Sequence, residues 1–328
     1  MAEKSSCLKS IAYELNLSIN TVSRALRDCS DISDATKEKV RKKAFEMGYL
    51  PNSISQFIKR DGKKLIAIVL NNFKNLYFQI VCDKLVSLLA AENFDFTIVY
   101  SPTKKLTLDL LKQCISERVD GIITLLEPED SIIDHAKLNH IPIIMVGRHL
   151  DKDYIDEVYT DDEMGGTLAA NYLANYHQIS KFIYVKMPNV ECSKRRQMAF
   201  TEAISSVDSK NEVLILEPKQ VNQSMLTLIN KGYLGIFCFS DEIAYDVLYT
   251  LNKLVPNVRK VYPHLHIIGF DAVSTHMHGL IDITSVSFDY DAICKEALRM
   301  LKDRFHDIKR DKQSMMFTVS LHARKIFG

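Results

Sequence analysis

The sequence lacks the features of a disulfide-stabilised, zinc-binding or membrane-spanning protein. Its seven cysteines are odd in number and scattered along 328 residues, and none form a C-x-x-C pair, which argues against a disulfide framework or a zinc knuckle. No apolar run approaches the roughly 18 residues of a membrane span, and the N-terminus has no apolar segment typical of a secretion signal. We therefore expect a soluble protein of the reducing cytoplasm, without a metal site or contact with a membrane.

Motifs that mark common enzymes are also missing. The sequence contains no G-x-G-x-x-G, no P-loop, no H-E-x-x-H and no G-x-S-x-G. Its ten histidines have no partners at metal-ligand spacing, and a surface loop is the better interpretation for His276 and His278. The sequence therefore predicts no catalytic residues, no cofactor and no enzymatic activity.

Charge is balanced overall but unevenly distributed. Residues 1–64 carry 13 Lys and Arg against 8 Asp and Glu, whereas the remaining 264 residues carry 29 against 33. A small basic segment ahead of a larger, slightly acidic one is typical of a head that meets a polyanion. A solvated basic surface would produce the same imbalance, so charge alone does not decide the function.

The first 50 residues are predicted to form three short helices. Asn16 tolerates the left-handed turn between the first two, and Ser18 can cap the second helix, Ile19 to Leu26. Ser33 can cap a third helix, which ends near Gly48. Two helices joined by a short turn are typical of the motif that places its second helix in the major groove of DNA, although any three-helix bundle shows this spacing.

The second of these helices carries side chains suited to duplex DNA. Ile19, Asn20 and Arg24 would face outward, where an aliphatic group can touch a thymine methyl, Asn can pair with adenine and Arg with guanine. Small polar side chains suited to phosphate contacts, which position a protein without reading sequence, are Ser18, Thr21 and Ser23. The sequence therefore predicts double-stranded DNA as a partner.

From Lys64 onward the pattern is that of an α/β protein. Continuous apolar runs of strand length alternate with helical stretches, as in doubly wound parallel sheets. The predicted strands are Leu65 to Leu70, Asp95 to Tyr100, Gly121 to Leu125, Ile141 to Val146, Phe182 to Val185, Val213 to Leu216, Leu234 to Phe239 and His266 to Phe270. Because this length exceeds one comfortable core, we expect two lobes with a ligand cleft where their strand ends face each other.

Taken together, these segments resemble the LacI/GalR family of transcriptional regulators along almost the whole chain. Leu17 to Leu26 is similar to the family's V-S-x-x-T-V-S-R-x-L recognition helix, and Met47 to Asn52 is similar to its G-Y-x-P-N hinge entry. Shorter matches follow in family order at Arg118 to Ile123, Ile141-Pro142, Arg196 to Phe200, Ile267 to Asp271 and Val319 to Arg324.

The resemblance implies an N-terminal three-helix helix-turn-helix head, a hinge helix, and a two-lobed body like the periplasmic binding proteins, built from doubly wound parallel sheets. The head would span residues 1–50, and the hinge helix and linker would span residues 51–64. The N-terminal lobe would take residues 65–160 and about 288–318, and the C-terminal lobe residues 161–287 and about 319–328.

The resemblance also makes Asn52 to Ile58 a hinge helix that inserts an aliphatic wedge into the minor groove and kinks the operator. Asn52, Ser55 and Ile58 are therefore candidate DNA-binding residues. Family members usually carry Leu and Ala where this chain has Ile58 and Ser55, and a β-branched wedge is stiffer and blunter. In the alternative interpretation, Ile58 only packs one hinge against another.

The resemblance further implies an effector bound between the lobes, at the positions of this chain that match those of the family. Candidate positions, which offer aromatic faces, a fork of donors and pairs of acceptors to a sugar, are Phe73, Tyr77, Phe78, Arg148, Arg196, Asp241 and Asp271. The chain has Gly147-Arg148 where many sugar-binding members have Asp, and the added cation could favour a phosphorylated or otherwise anionic ligand. For Arg148 and Arg196 a structural ion pair is the alternative.

The resulting prediction is a cytoplasmic homodimeric regulator of transcription, a repressor, that binds a near-palindromic operator and responds to a sugar or sugar phosphate. The alternatives are a regulator with a nucleobase or a protein co-effector, and a solute-binding protein for transport. The basic helical head argues against the transport alternative.

Replacing Arg24 by Ala tests the predicted base contact. We expect the substitution to weaken operator binding by roughly 1 to 3 kcal/mol and to leave non-specific binding nearly intact, because a bidentate base contact is lost. Fluorescence anisotropy on operator and random duplexes measures both affinities. Equal losses on the two duplexes would refute the base-reading role.

Overall fold

Two units make up the chain in the computed structural model, which describes residues 2–26, 29–46, 63–150, 152–175 and 179–324. The first unit, the head, is Met1–Lys64, and the second, the body, is Leu65–Gly328. Each unit has its own hydrophobic core.

The described part of the head contains the three predicted helices, α1 (Ala2–Leu15), α2 (Ile19–Leu26) and α3 (Asp34–Glu46). Asn16 takes the left-handed conformation, with φ of 56°, in the turn between α1 and α2. The Ser18 hydroxyl accepts a hydrogen bond from the Thr21 amide at 2.9 Å and so caps α2. Apolar side chains from all three helices form the core of the head: Ile11, Ala12, Val22, Ala25, Leu26, Val40 and Ala44. The helix-turn-helix prediction is confirmed.

The first lobe of the body is a parallel six-stranded sheet covered by helices on both faces. In spatial order its strands are β13 (Ser314–Phe317), β7 (Asp156–Thr160), β6 (Ile143–Val146), β4 (Gly121–Thr124), β1 (Leu65–Leu70) and β2 (Asp95–Tyr100). Its helices are α4 (Leu76–Ala91), α5 (Leu108–Ser116), α6 (Ile132–Leu138) and α12 (Tyr290–His306). The short strands β3 (Lys105–Leu106) and β5 (Glu127–Pro128) pair separately. All six residues of β1 are buried, as expected for a strand packed on both faces.

The second lobe repeats this architecture. In spatial order its strands are β14 (Ser320–His322), β12 (Thr284–Ser287), β11 (His266–Phe270), β10 (Tyr233–Cys238), β8 (Lys181–Val185) and β9 (Glu212–Leu216), and only β14 is antiparallel to its neighbour. Its helices are α7 (Asp162–Ala174), α8 (Glu191–Val207), α9 (Ser224–Asn230), α10 (Asp241–Leu254) and α11 (Val258–Val261). The predicted doubly wound body is confirmed.

The chain passes between the two sheets three times. It leaves the first sheet after β7, returns to the first lobe after β12, and crosses again between β13 and β14. These crossings lie close to the lobe boundaries expected from the sequence, and we retain those boundaries as a proposal. Among the described residues, no helix is both long and apolar enough to cross a membrane.

A buried ion cluster fastens the end of α12 to β7. The Asp156 carboxylate is fully buried and accepts hydrogen bonds from Arg304 Nε at 2.8 Å and from Arg310 Nη2 at 2.6 Å. Each arginine donates a second hydrogen bond to the same carboxylate, and the Gln313 amide adds one more at 2.7 Å. Because buried charges are costly unless they are paired, this acidic residue depends on the two arginines, and they depend on it.

Replacing Asp156 by Asn should lower the free energy of unfolding by about 3 to 5 kcal/mol, because two buried guanidinium groups lose their counter-charge. Asp303→Asn is the matched control, since among the described residues the Asp303 carboxylate pairs with the half-exposed Arg299 alone. This substitution should cost less than about 1 kcal/mol. Urea unfolding followed by circular dichroism measures both changes. Similar losses in the two variants would contradict the role assigned to the cluster.

Candidate functional site

The outer face of α2 carries the three predicted base readers. Val22, Ala25 and Leu26 are buried against the rest of the head. Ile19 is 44% exposed, Asn20 is exposed and Arg24 is half-exposed. Two more polar side chains lie at the start of the helix, where the Ser18 and Thr21 hydroxyl groups are 2.8 Å apart, and Ser23 is half-buried. The arrangement leaves the predicted readers accessible to a nucleic acid, and their contact with DNA stays a prediction.

Arg24 has a partner that the sequence analysis missed. Its guanidinium forms an ion pair with Asp31, which lies in the turn between α2 and α3, and both side chains are partly exposed. The two residues are seven positions apart, which is not the spacing of a helical i, i+4 pair. The ion pair therefore becomes visible only in the folded head. Part of the Arg24 guanidinium is therefore occupied by a carboxylate of the protein itself.

The predicted hinge residues lie outside the described part of the chain. This applies to Asn52, Ser55 and Ile58, whose roles as minor-groove contacts stay predictions.

A cavity of 320 Å³ lies in the body, where the carboxyl ends of the two sheets meet. One wall comes from the first lobe and includes Tyr77 and Phe78 at the start of α4 and Gly147-Arg148 after β6. The other wall comes from the second lobe and includes Arg196 of α8 and Asp271 after β11. Ligands of α/β proteins bind at this edge of the sheets, so the cavity is the candidate effector cleft.

Arg196 is held in the cleft wall by protein groups. Its Nε donates to Asp162 Oδ1 at 2.7 Å, and its Nη1 donates to the Phe239 carbonyl at 2.7 Å. The guanidinium carbon lies 3.3 Å from the centre of the Phe270 ring. Arg196 thus forms the structural ion pair considered as its alternative role and also lines the cleft, where Nη2 makes no hydrogen bond with any described residue.

Asp271 is the least satisfied polar side chain of this wall. It is only 8% exposed, it lines the cleft, and no described residue forms a hydrogen bond with its carboxyl group. Burial raises the pKa of Asp271 well above its usual range, and Arg196 acts in the opposite direction. Its backbone has a φ of 107°, a conformation that is strained for any residue other than glycine. Strain and a free buried acceptor together are typical of a ligand-binding position.

Two of the predicted effector residues do not line the cavity. Phe73 is 53% exposed and stacks on Tyr100, with ring centres 5.8 Å apart. Asp241 is fully buried, and its carboxylate oxygens accept from Ser285 Oγ at 2.6 Å and from the Val273 amide at 2.8 Å. Burial raises the pKa of Asp241 to about 7, while these hydrogen bonds lower it. The geometry therefore argues against a direct ligand contact for either residue.

Arg148 lies between the cleft and a neighbouring cavity. It lines both, and its guanidinium is 3.9 Å from Glu127, a long ion pair that leaves the side chain accessible. The neighbouring cavity, of 380 Å³, contains cations and carboxylates in similar numbers. The added cation at Arg148 is thus largely balanced by its surroundings.

The structure adds a bridge across the cleft. Asn75 caps α4 by accepting from the Phe78 amide at 3.0 Å, and its amide group donates to Glu242 of the other lobe at 2.9 Å. Burial raises the pKa of Glu242. The sequence carries a signal for such residues, because three asparagines directly follow the strand β1 in the run Asn71-Asn72-Phe73-Lys74-Asn75, and all three line the cleft. In the described residues, no group of three His, Cys, Asp or Glu side chains is arranged to hold a metal ion.

Comparison with known proteins agrees with this geometry. Residues 7–52 match the family model "Bacterial regulatory proteins, lacI family". The HTH-type transcriptional repressor PurR of Vibrio parahaemolyticus is 24% identical over 323 residues, which cover 93% of this chain and 94% of that protein.

Solved structures share the fold. A LacI family transcriptional regulator from Enterococcus faecium with bound ribose superposes with a TM-score of 0.68 at 19% identity, covering 80% of this chain and 97% of that one. A lac repressor dimer bound to operator and the anti-inducer ONPF gives 0.64 at 14% identity, covering 96% and 97%. The head thus matches the lacI family model over residues 7–52, and the body shares the fold of solved LacI family regulators.

Proposed function

We propose that the protein is a cytoplasmic, sequence-specific DNA-binding regulator of transcription, a repressor, whose operator affinity is controlled by a small molecule in the cleft. The observation that carries this proposal is the capped helix α2, with Ile19, Asn20 and Arg24 on its outer face, within the family-matched segment. The head also argues against a solute-binding protein, which needs only the body.

The proposed ligand is a sugar or sugar phosphate. Asp271 offers a free acceptor, Arg196 offers a donor, and Asn71 and Asn72 add amides that can do both. Aromatic side chains, including Tyr77 and Phe288, give the cavity a surface suited to the apolar face of a sugar ring. The ribose in the related structure from Enterococcus faecium supports this class.

A homodimer is supported by an apolar face at the edge of the first sheet. Phe96, Ile98 and Tyr100 alternate along β2, the outermost strand, and are 39%, 41% and 52% exposed. Alternate residues of a strand share one face, and Phe73 extends that face by stacking on Tyr100. Contiguous apolar surface of this kind marks an interface. A two-fold dimer would present two heads to a near-palindromic operator.

Control would follow from linkage. The cleft walls belong to different lobes, so a bound ligand favours one relative placement of the lobes over another. If DNA also prefers one of these placements, a ligand with different affinities for the two changes operator affinity by up to the ratio of its own affinities.

Two measurements on the purified full-length protein test this proposal. Selection from random duplexes should enrich a near-palindromic sequence. A thermal-shift screen of sugars, sugar phosphates and nucleobases should then find a compound that raises the melting temperature and changes affinity for that duplex. If the active compound is a nucleobase, the proposed ligand class is wrong. If the selection enriches no duplex, the proposal of a sequence-specific DNA-binding regulator is refuted.

Asp271→Asn should make the empty protein more stable and its ligand binding weaker. The pKa of Asp271 is raised in the folded state, so its charge costs stability at pH values above that pKa, and the cost fades as the pH falls through it. We therefore expect a higher melting temperature than wild type at pH 8 and a smaller difference at pH 5. A variant that is less stable than wild type at pH 8 would contradict the role of Asp271 as an unpaired acceptor.

A further inference from the structure

The turn after β11 holds two consecutive non-glycine residues at positive φ. Asp271 has a φ of 107° and Ala272 a φ of 50°. Side chains with a Cβ atom pay a free-energy cost in this region, so such residues persist only where their surroundings hold them. The turn is also the segment that presents the Asp271 carboxyl group to the cleft.

Side chains from two other elements hold this turn. Ser285 Oγ, on β12, accepts from the Ala272 amide at 2.9 Å and donates to Asp241 Oδ1 at 2.6 Å. Asp241 Oδ2, at the start of α10, accepts from the Val273 amide at 2.8 Å. The Asp271 backbone is fixed as well, because its amide donates to the Val286 carbonyl at 2.8 Å.

A glycine makes room for this network. A Cβ atom added to Gly269 would lie 1.8 Å from Asp241 Oδ1, which no neighbouring atom could tolerate. The Gly269 position of β11 therefore admits the Asp241 carboxylate at close range. Ser285 and Asp241 are both buried, at 0% exposure, and neither lines the cleft.

We propose that Asp241 and Ser285 are positioning residues that hold Asp271 in its strained conformation and so keep its carboxyl group directed into the effector cleft. The proposal rests on the proposed function for the role of Asp271, and it assigns Asp241 an indirect part in place of ligand contact. The Ser285 hydroxyl can accept from Ala272 and donate to Asp241 through one oxygen atom, and the Asp241 carboxylate supplies one acceptor oxygen to Ser285 and another to Val273.

The test follows the titration of Asp271 itself in the full-length protein. The chain is labelled with aspartate carrying 13C at the carboxyl carbon, and the Asp271 signal is identified by its loss in Asp271→Asn. In wild type the signal should titrate well above the ordinary range of aspartate, since burial dominates and Arg196 opposes it. The other acids near this carboxyl group, Asp162, Asp241 and Glu242, are observed in the same spectra or through their Asn or Gln variants.

Ser285→Ala should release the turn and lower the Asp271 titration midpoint by at least one pH unit, because the carboxyl group reaches solvent. Ser285→Cys, which keeps the size of the side chain but is a weak donor and acceptor, should act in the same direction and serves if Ser285→Ala fails to fold. Both variants keep the Asp241 charge, which by itself raises the pKa of Asp271. Ser274→Ala is the matched control, since this hydroxyl lies in the same turn but donates to Asp282 at 3.2 Å. It should leave the midpoint unchanged.

A midpoint that stays at the wild-type value in folded Ser285→Ala and Ser285→Cys would overturn the proposal, even if both variants melt earlier. General destabilisation lowers the melting temperature without moving this midpoint in the folded state. No ligand or DNA is needed, so the result is independent of the duplex selection and the compound screen that test the proposed function.

Discussion

The effector cleft depends on the buried ion pair between Arg196 and Asp162. The two residues lie near the starts of α8 and α7, and neither charge is tolerable in this wall without the other. The pair requires the helices to approach closely, and Gly166 allows this, since a Cβ atom there would lie 2.5 Å from the Arg196 carbonyl. With Nε and Nη1 occupied by protein acceptors, the guanidinium has a fixed orientation and keeps donor capacity for a ligand.

Asp271 illustrates the opposite use of a buried charge. Elsewhere in the described body, a buried carboxylate such as Asp156 or Asp241 is surrounded by donors that belong to the protein. No residue that the structure describes donates a hydrogen bond to the Asp271 carboxyl group, and the Asp271 backbone is strained. A fold that keeps such a group sacrifices stability, which is consistent with a position whose partner comes from outside the chain.

The head shows the same contrast on a smaller scale. The inner face of α2 fills the core, whereas its outer face carries Ile19 and Asn20 in solvent without a structural task. Arg24 differs from them, because its pair with Asp31 gives the guanidinium a preferred direction before any partner arrives. Such an exposed pair contributes little to stability and competes only weakly with a phosphate or a base.

Local patterns in the sequence were sufficient to predict the three helices of the head, the Ser18 cap, the left-handed turn at Asn16, and the strands that are apolar throughout, because helix and strand periodicity is a local property. They were not sufficient for β7, because its buried Asp156 and Glu157 carboxylates are paired with arginine and lysine side chains from the distant segment 304–312. The cleft aromatics, Arg196 and Asp271 were predicted from the family resemblance, and the structure brings them together in one cavity. Only the tertiary structure separated Asp271, which faces that cavity, from Asp241, which supports the turn behind it, since two aspartates after two strands look alike until the direction of each carboxyl group is known.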